Sequence, residues 1–350
     1  MQCVILGTGG TMPMPGQFLS SAAVRVGGRA YLFDCGEGTQ VPYKACHVGV
    51  GRLDLVAITH LHADHCLGLP GLLMLRAQIE EPGPLVLVGP EGLGRFVQHV
   101  VEDLDCFINY PVRIVEVPAS LFAPGGTGAS RGRQDEERGW RASRKSIVCE
   151  TAGPSEAFRP GKSLLEVFRD EQVRLYCHPL DHSVFCLGYR LEEVERPGKF
   201  HPGRARQLGV EPGPAYARLQ GGESVTTSDG VVVTPDEVMG PPRRGRHVAY
   251  CTDTAPCKGL YRLMASADLA LLEGMYLPEH AREAEEKRHL EAVRAARMAV
   301  RAEVREARLI HFSPRYGEEE VARIDRLARE VSPVIQAGVP GEVIEVPLPD

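Results

Sequence analysis

Short apolar runs closed by Gly, Pro or polar clusters recur along the first 117 residues of the chain. Residues 4–6, 22–26 and 30–34 read as strands, with Gly27-Gly28 as the two-residue turn between the last two. Residues 53–59 form a strand that stops where His60 begins, and 85–88 and 112–117 are further short strands. Helical segments are predicted near 40–49, 69–79 and 91–103. A second set of runs follows at 164–168, 173–177, 185–190, 247–252, 269–272 and 308–312. Between the last two, 279–306 is rich in Ala, Glu and Arg and is predicted as one long helix. Two α/β halves of this kind predict an α/β fold with a sheet-on-sheet core and helices outside.

Two stretches break the pattern. Residues 119–163 contain the breaker cluster Pro124-Gly125-Gly126-Thr127-Gly128 and a densely charged run from Arg131 to Ser146, which predicts an inserted, mobile loop. Residues 194–246 are rich in Pro, Gly and charge and read as a protruding arm on a single 1–350 domain.

A hydrophobic content of 43% over 350 residues is enough for a proper core. No apolar run approaches the ~18 residues of a membrane span. The start, Met1 to Gly7, has neither a basic region nor a long apolar stretch, so a cytoplasmic protein without a signal peptide is expected. Ten cysteines are scattered without a Cys-x-x-Cys pair, which predicts buried free thiols and leaves metal binding to His and Asp. A net charge of −6 means that any nucleic-acid partner must be met by local Lys and Arg clusters.

The densest chemistry is His60-Leu61-His62-Ala63-Asp64-His65, directly after the apolar run 55–58. A strand-to-loop junction can splay such side chains toward one point, and imidazole with carboxylate suits Zn²⁺ and, to a lesser degree, Mn²⁺. Three more candidates stand at strand ends: His182, Asp253 and His311. Together the seven complete two sites of about four ligands each, with a carboxylate bridging ions ~3.5–4 Å apart.

These residues resemble the metallo-β-lactamase superfamily, and further stretches resemble ribonuclease Z within it. The stretches are Leu6-Gly7-Thr8-Gly9, Phe33-Asp34-Cys35-Gly36-Glu37-Gly38-Thr39-Gln40, His65 through Leu73, Gly188-Tyr189-Arg190, Pro212-Gly213-Pro214, Gly240-Pro241-Pro242, Asp253-Thr254 and His311 through Tyr316. The resemblance covers nearly the whole chain except 119–163. It implies a metallo-β-lactamase αββα sandwich with a protruding arm, and a zinc phosphodiesterase that removes the 3′ trailer of precursor tRNA to leave a 3′-hydroxyl. It implies that His60, His62 and His182 hold one Zn²⁺, that Asp64, His65 and His311 hold the other, and that Asp253 bridges them, with Mn²⁺ as a substitute metal. Asp64 would also take a proton from the attacking water. The family's Glu–His acid pair, from a His-Glu-Ala-Thr motif and a later His-Ser-Thr, falls on Glu273 in Leu272-Glu273-Gly274-Met275 and His289 in Arg288-His289-Leu290. The arm, with Lys199, Arg204, Arg206, Arg243 and Arg244, would be an exosite for tRNA in a homodimer. A basic Arg-Asn pair of the family is replaced near Gln17 and Phe18. The competing expectation keeps the fold and metals but takes a small phosphodiester, sulfate ester or lactone. The altered neighbours of Glu273 favour it, and the arm opposes it.

Overall fold

The computed structural model describes residues 1–123, 138–142, 145–156 and 158–349. The N-terminal half supplies β1 (Gln2–Gly7), β2 (Ser21–Val26), β3 (Arg29–Phe33), α1 (Gln40–Ala45), β4 (Leu53–Ala57), α2 (Ala63–Cys66), α3 (Leu69–Arg76), β5 (Leu85–Pro90), α4 (Leu93–Asp103), β6 (Val112–Val117), β7 (Arg138–Ala142) and β8 (Lys145–Thr151). Gly27 and Gly28 have φ of +55° and +85°, the left-handed pair that a tight hairpin turn between β2 and β3 requires. From β3 to β6 the strands run parallel, so their C-terminal ends share one edge of the sheet.

Next come β9 (Leu165–Arg169), β10 (Val173–Leu180) and β11 (Cys186–Glu193). A separate compact unit is built on Glu193–Gly245. It contains α5 (Pro202–Gln207), α6 (Pro214–Gln220), the two-residue strands β12 (Val225–Thr226) and β13 (Val232–Val233), and α7 (Pro235–Val238). It has its own small core of Ala205, Val210, Leu219, Val225, Val233 and Val238. The main unit then resumes with β14 (His247–Cys251), α8 (Lys258–Met264), β15 (Leu269–Glu273), α9 (Ala281–Glu286), α10 (Ala292–Arg301), β16 (Ala307–Ile310), α11 (Glu318–Val331), β17 (Ile335–Ala337) and β18 (Val343–Glu345).

Two sheets result, in the orders β18-β1-β2-β3-β4-β5-β6-β8-β7 and β17-β16-β15-β14-β11-β10-β9. Alternation along each strand divides its side chains between two cores. Tyr31 and Phe33 of β3 meet Tyr189, Tyr250 and Leu271 between the sheets, and the Phe33 and Tyr250 rings stack at 5.3 Å. Ala30 and Leu32 face outward onto a cluster containing Leu69, Leu73 and Val97 of α3 and α4. Ala270 and Leu272 of β15 likewise face Leu260, Ala296 and Ile324 of α8, α10 and α11. The layers are therefore helix, sheet, sheet, helix.

Two expectations need correcting, and one helix was not anticipated. The stretch 119–163, read above as a loop, contains β7 and β8, and β8 pairs with β6 in parallel through Ile147 and Val148. Only a short apolar run, 147–149, marks it among the charged residues; residues 124–137, with the breaker cluster, lie outside the described residues. The single helix predicted over 279–306 is two. Good helix formers continue through the break, but Arg288 turns into the left-handed region at φ +58°, and Glu291 restarts the helix by accepting hydrogen bonds from Val293 N and Arg294 N. Helix α11 was missed because, of its fourteen residues, only Ile324 and Ala328 are fully buried, too thin a stripe to read.

The Phe33 ring packs against both Tyr189 and Tyr250 of the facing sheet. Phe33→Ala is expected to cost about 3–5 kcal/mol, measured by urea unfolding; a loss under about 1 kcal/mol would show that the two sheets do not depend on it.

Candidate metal centre

Parallel strands deliver side chains to their C-terminal ends, and every candidate here except His182 and His289 follows such an end. Asp34 closes β3 with φ +55° and is completely buried. Its Oδ1 accepts from Thr59 N at 2.8 Å, and both of its oxygens accept from Thr59 Oγ1 at 3.0 Å. Its Oδ2 also accepts from His65 Nδ1 at 2.7 Å. One carboxylate thus fixes the loop after β4 and aims His65 Nε2 away from itself. Gly36 lets Asp64 come close: a Cβ there would sit 2.0 Å from the Asp64 carbonyl oxygen. On the other side, Thr11 N donates to Asp64 Oδ2 at 2.7 Å, and Phe312 N donates to Thr8 O at 2.8 Å. The Leu6-Gly7-Thr8-Gly9 stretch therefore leads into a loop that braces both Asp64 and the segment after His311.

All seven candidate ligands converge. His60, His62 and His182 bring ring nitrogens within 4.8 Å of one another, as do the ligand atoms of Asp64, His65 and His311. Asp253, at φ +50° beyond β14, lies between the groups. Its Oδ2 is 3.8 Å from both His60 Nε2 and His182 Nε2, while its Oδ1 is 3.2 Å from both His65 Nε2 and His311 Nε2. The centre is buried, yet His65 Nε2, His182 Nε2, His311 Nε2 and Asp253 Oδ1 have no hydrogen-bond partner. Unsatisfied buried lone pairs aimed at common points are costly without a ligand, and divalent cations satisfy them. The donor set fits.

Charge and burial act in opposite directions here. Burial pulls His60 well below the usual imidazole range, the neutral form a ligand requires. Burial would raise Asp253 and Asp64, but the surrounding imidazoles hold both carboxyls well below the ordinary range.

Beside the centre, His289 Nδ1 donates to Glu273 Oε2 at 2.9 Å. Its ring centroid lies 5.1 Å from that of His182 and 5.7 Å from that of His311. Burial lowers the His289 pKa, but the Glu273 carboxylate outweighs it and lifts the ring to about 9. Glu273 is itself fully buried and is held by a short hydrogen bond from Thr254 N. The neighbouring Arg288 ties this loop to the ligand loop: its Nη1 donates to Asp181 Oδ1 at 3.0 Å and to the His182 carbonyl at 3.1 Å. So the changed sequence around the pair leaves the pair intact.

Sequence reasoning missed Asp34 and Thr59. The signal was present, since Asp34 sits in the Phe33-Asp34-Cys35-Gly36 stretch, but an acid at a strand end gives no sign of which imidazole it will orient. In the separate 193–245 unit, Arg204 and Arg206 ride on α5 and, with Lys199 and Arg244, are exposed. Arg243 is half-buried, and its Nε donates to the Pro197 carbonyl at 3.2 Å. Among the described residues no helix is long and apolar enough to cross a membrane.

Layering and site define a metal-dependent hydrolase of the metallo-β-lactamase fold. The fold is shared with a metallo-beta-lactamase fold protein, YhfI of Bacillus subtilis, at TM-score 0.59 and 14% identity over 98% of each chain. It is also shared with the short form of human tRNase Z, at TM-score 0.66 and 22% identity over 99% of this chain and 100% of that one. The family described as "Anti-Pycsar protein Apyc1" matches residues 1–98. Along its length the chain is 35% identical to the ribonuclease Z of Treponema denticola, over 95% of this chain and 94% of that protein. The chain belongs to the ribonuclease Z family.

Carboxylates that orient metal-bound imidazoles are worth about 10–100-fold in metal affinity. Asp34→Ala is therefore expected to weaken Zn²⁺ binding by that factor in a chelator-competition titration, whereas unchanged affinity would reduce Asp34 to a loop brace.

Proposed function

We propose that the protein is a two-zinc endoribonuclease that removes the 3′ trailer of precursor tRNA and leaves a 3′-hydroxyl. The observation that carries the two-metal reading is Asp253, whose two oxygens face separate pairs of imidazoles. On this reading His60, His62 and His182 would hold one ion, Asp64, His65 and His311 would hold the other, and Asp253 would be shared between them. When bound, the two ions acidify water and neutralise the charge that builds on the phosphoryl oxygens.

The chain's own residues supply the proton traffic. Asp64 stands at the centre as a carboxylate, and it is the group assigned to receive the proton of the attacking water. His289, protonated beside Glu273, can give one to the ribose oxygen that leaves. Glu273 holds the imidazole in the tautomer that carries a proton on Nδ1. Lys199, Arg204, Arg206, Arg243 and Arg244 of the 193–245 unit are assigned to the phosphates of tRNA, in a homodimer, as an exosite. The competing small-ester reading leaned on the altered neighbours of Glu273, and the 2.9 Å hydrogen bond with His289 removes that support.

Incubation with a 3′-extended tRNA transcript should give a single cut at the trailer junction, and a chelator should abolish it; cutting that survives metal removal would defeat the reading. His289→Ala should slow RNA cleavage about 10²–10⁴-fold and hydrolysis of an ester with an activated leaving group far less, since such a group departs unprotonated. Equal losses on both substrates would make His289 structural.

A further inference from the structure

On the main unit an open pocket is lined by Lys162, Leu164, Lys258, Tyr261, Arg262 and Ala265. Three of the six are cations and none is an acid. Lys162 and Lys258 are exposed, and among the described residues no ion pair engages any of the three cations. Arg262 is fixed in place: its Nη1 donates to the Lys162 carbonyl at 2.7 Å, and its buried Nε has no partner. This cluster stands on a chain of net charge −6. By contrast, residues 193–245 carry seven Lys and Arg against seven Asp and Glu, so their charge is balanced.

The pocket is tethered to the metal centre. Lys258 opens α8 five residues after Asp253, a reach of at most about 18 Å along the chain. The intervening loop is pinned to the loop that carries His182, by Ala255 N to Asp181 O at 2.7 Å and Asp181 N to Thr254 Oγ1 at 3.1 Å. A strand with its scissile phosphate at Asp253 would therefore meet the pocket within a few nucleotides. Tyr261 adds an aromatic face of the kind on which bases stack.

We propose that this pocket is a second phosphate-binding site for the substrate RNA, gripping the backbone a few nucleotides from the cut. It rests on the ribonuclease reading above. Uncompensated cations around a concavity attract phosphate, the guanidinium gives the site a fixed donor, and the lack of any carboxylate removes the competitor that neutralises most surface lysines.

The test uses the full-length zinc-loaded protein carrying Lys162→Glu and Lys258→Glu together, with Lys162→Gln and Lys258→Gln as a milder second variant. Binding and cleavage of a 3′-extended tRNA are measured over a salt series, alongside hydrolysis of a small chromogenic phosphodiester. The expected result is unchanged small-ester turnover, RNA affinity lower by roughly tenfold or more, and a salt slope shallower by about 0.7 for each phosphate that the pocket no longer neutralises. The Gln variant should show the same pattern in weaker form. RNA affinity and salt slope equal to the parent's, with the parent cutting RNA, would overturn the pocket alone. A parent that neither binds nor cuts RNA would overturn the ribonuclease reading and the pocket with it.

Discussion

The structure turns on one buried carboxylate. Asp253 is held at positive φ beyond the end of β14, nearly sealed from solvent, with imidazoles on both sides of it. An isolated charge in that position would be severely penalised, and it persists only where opposite charge is supplied. The side chains around it come from both sheets and from different parts of the chain, His60 and His65 from the loop after β4, His182 from between β10 and β11, and His311 from beyond β16, and the cations that this donor set fits would supply the opposite charge. No single half of the sequence can satisfy it.

This dependence explains why so much of the surrounding structure is bracing. Asp34 fixes Thr59 and His65, Thr11 fixes Asp64, and Arg288 clamps the His182 loop to the His289 loop. Five residues at and around the centre, Thr11, Asp34, Asp253, Arg288 and His311, take left-handed backbone conformations. Residues other than Gly or Asn seldom adopt these without cost, and such strain gathers where geometry is needed for chemistry. Arg288 is the clearest case: it breaks a stretch of good helix formers so that His289 points inward.

Much of this was legible in the sequence, and for different reasons. Strands with short apolar runs and marked ends, such as β3, β4 and β14, could be read because burial on both faces demands such runs. The candidate ligands could be singled out because His and Asp at strand ends are expensive unless used. What could not be read depended on partners distant in sequence. Nothing local to Asp34 says that it will face His65, and nothing in the continuous Ala, Glu and Arg pattern says that the helix must stop at residue 287. Strand β8, which lies between β6 and β7, was hidden because among its described side chains only Ile147 is buried, and one apolar residue is not a period.

The central claim is that these seven side chains form one bridged pair of sites. Anomalous diffraction from zinc-loaded crystals tests it most directly. The account requires two peaks per chain about 3.5–4 Å apart, with one Asp253 oxygen on each. A single peak, or two peaks that Asp253 does not join, would contradict it.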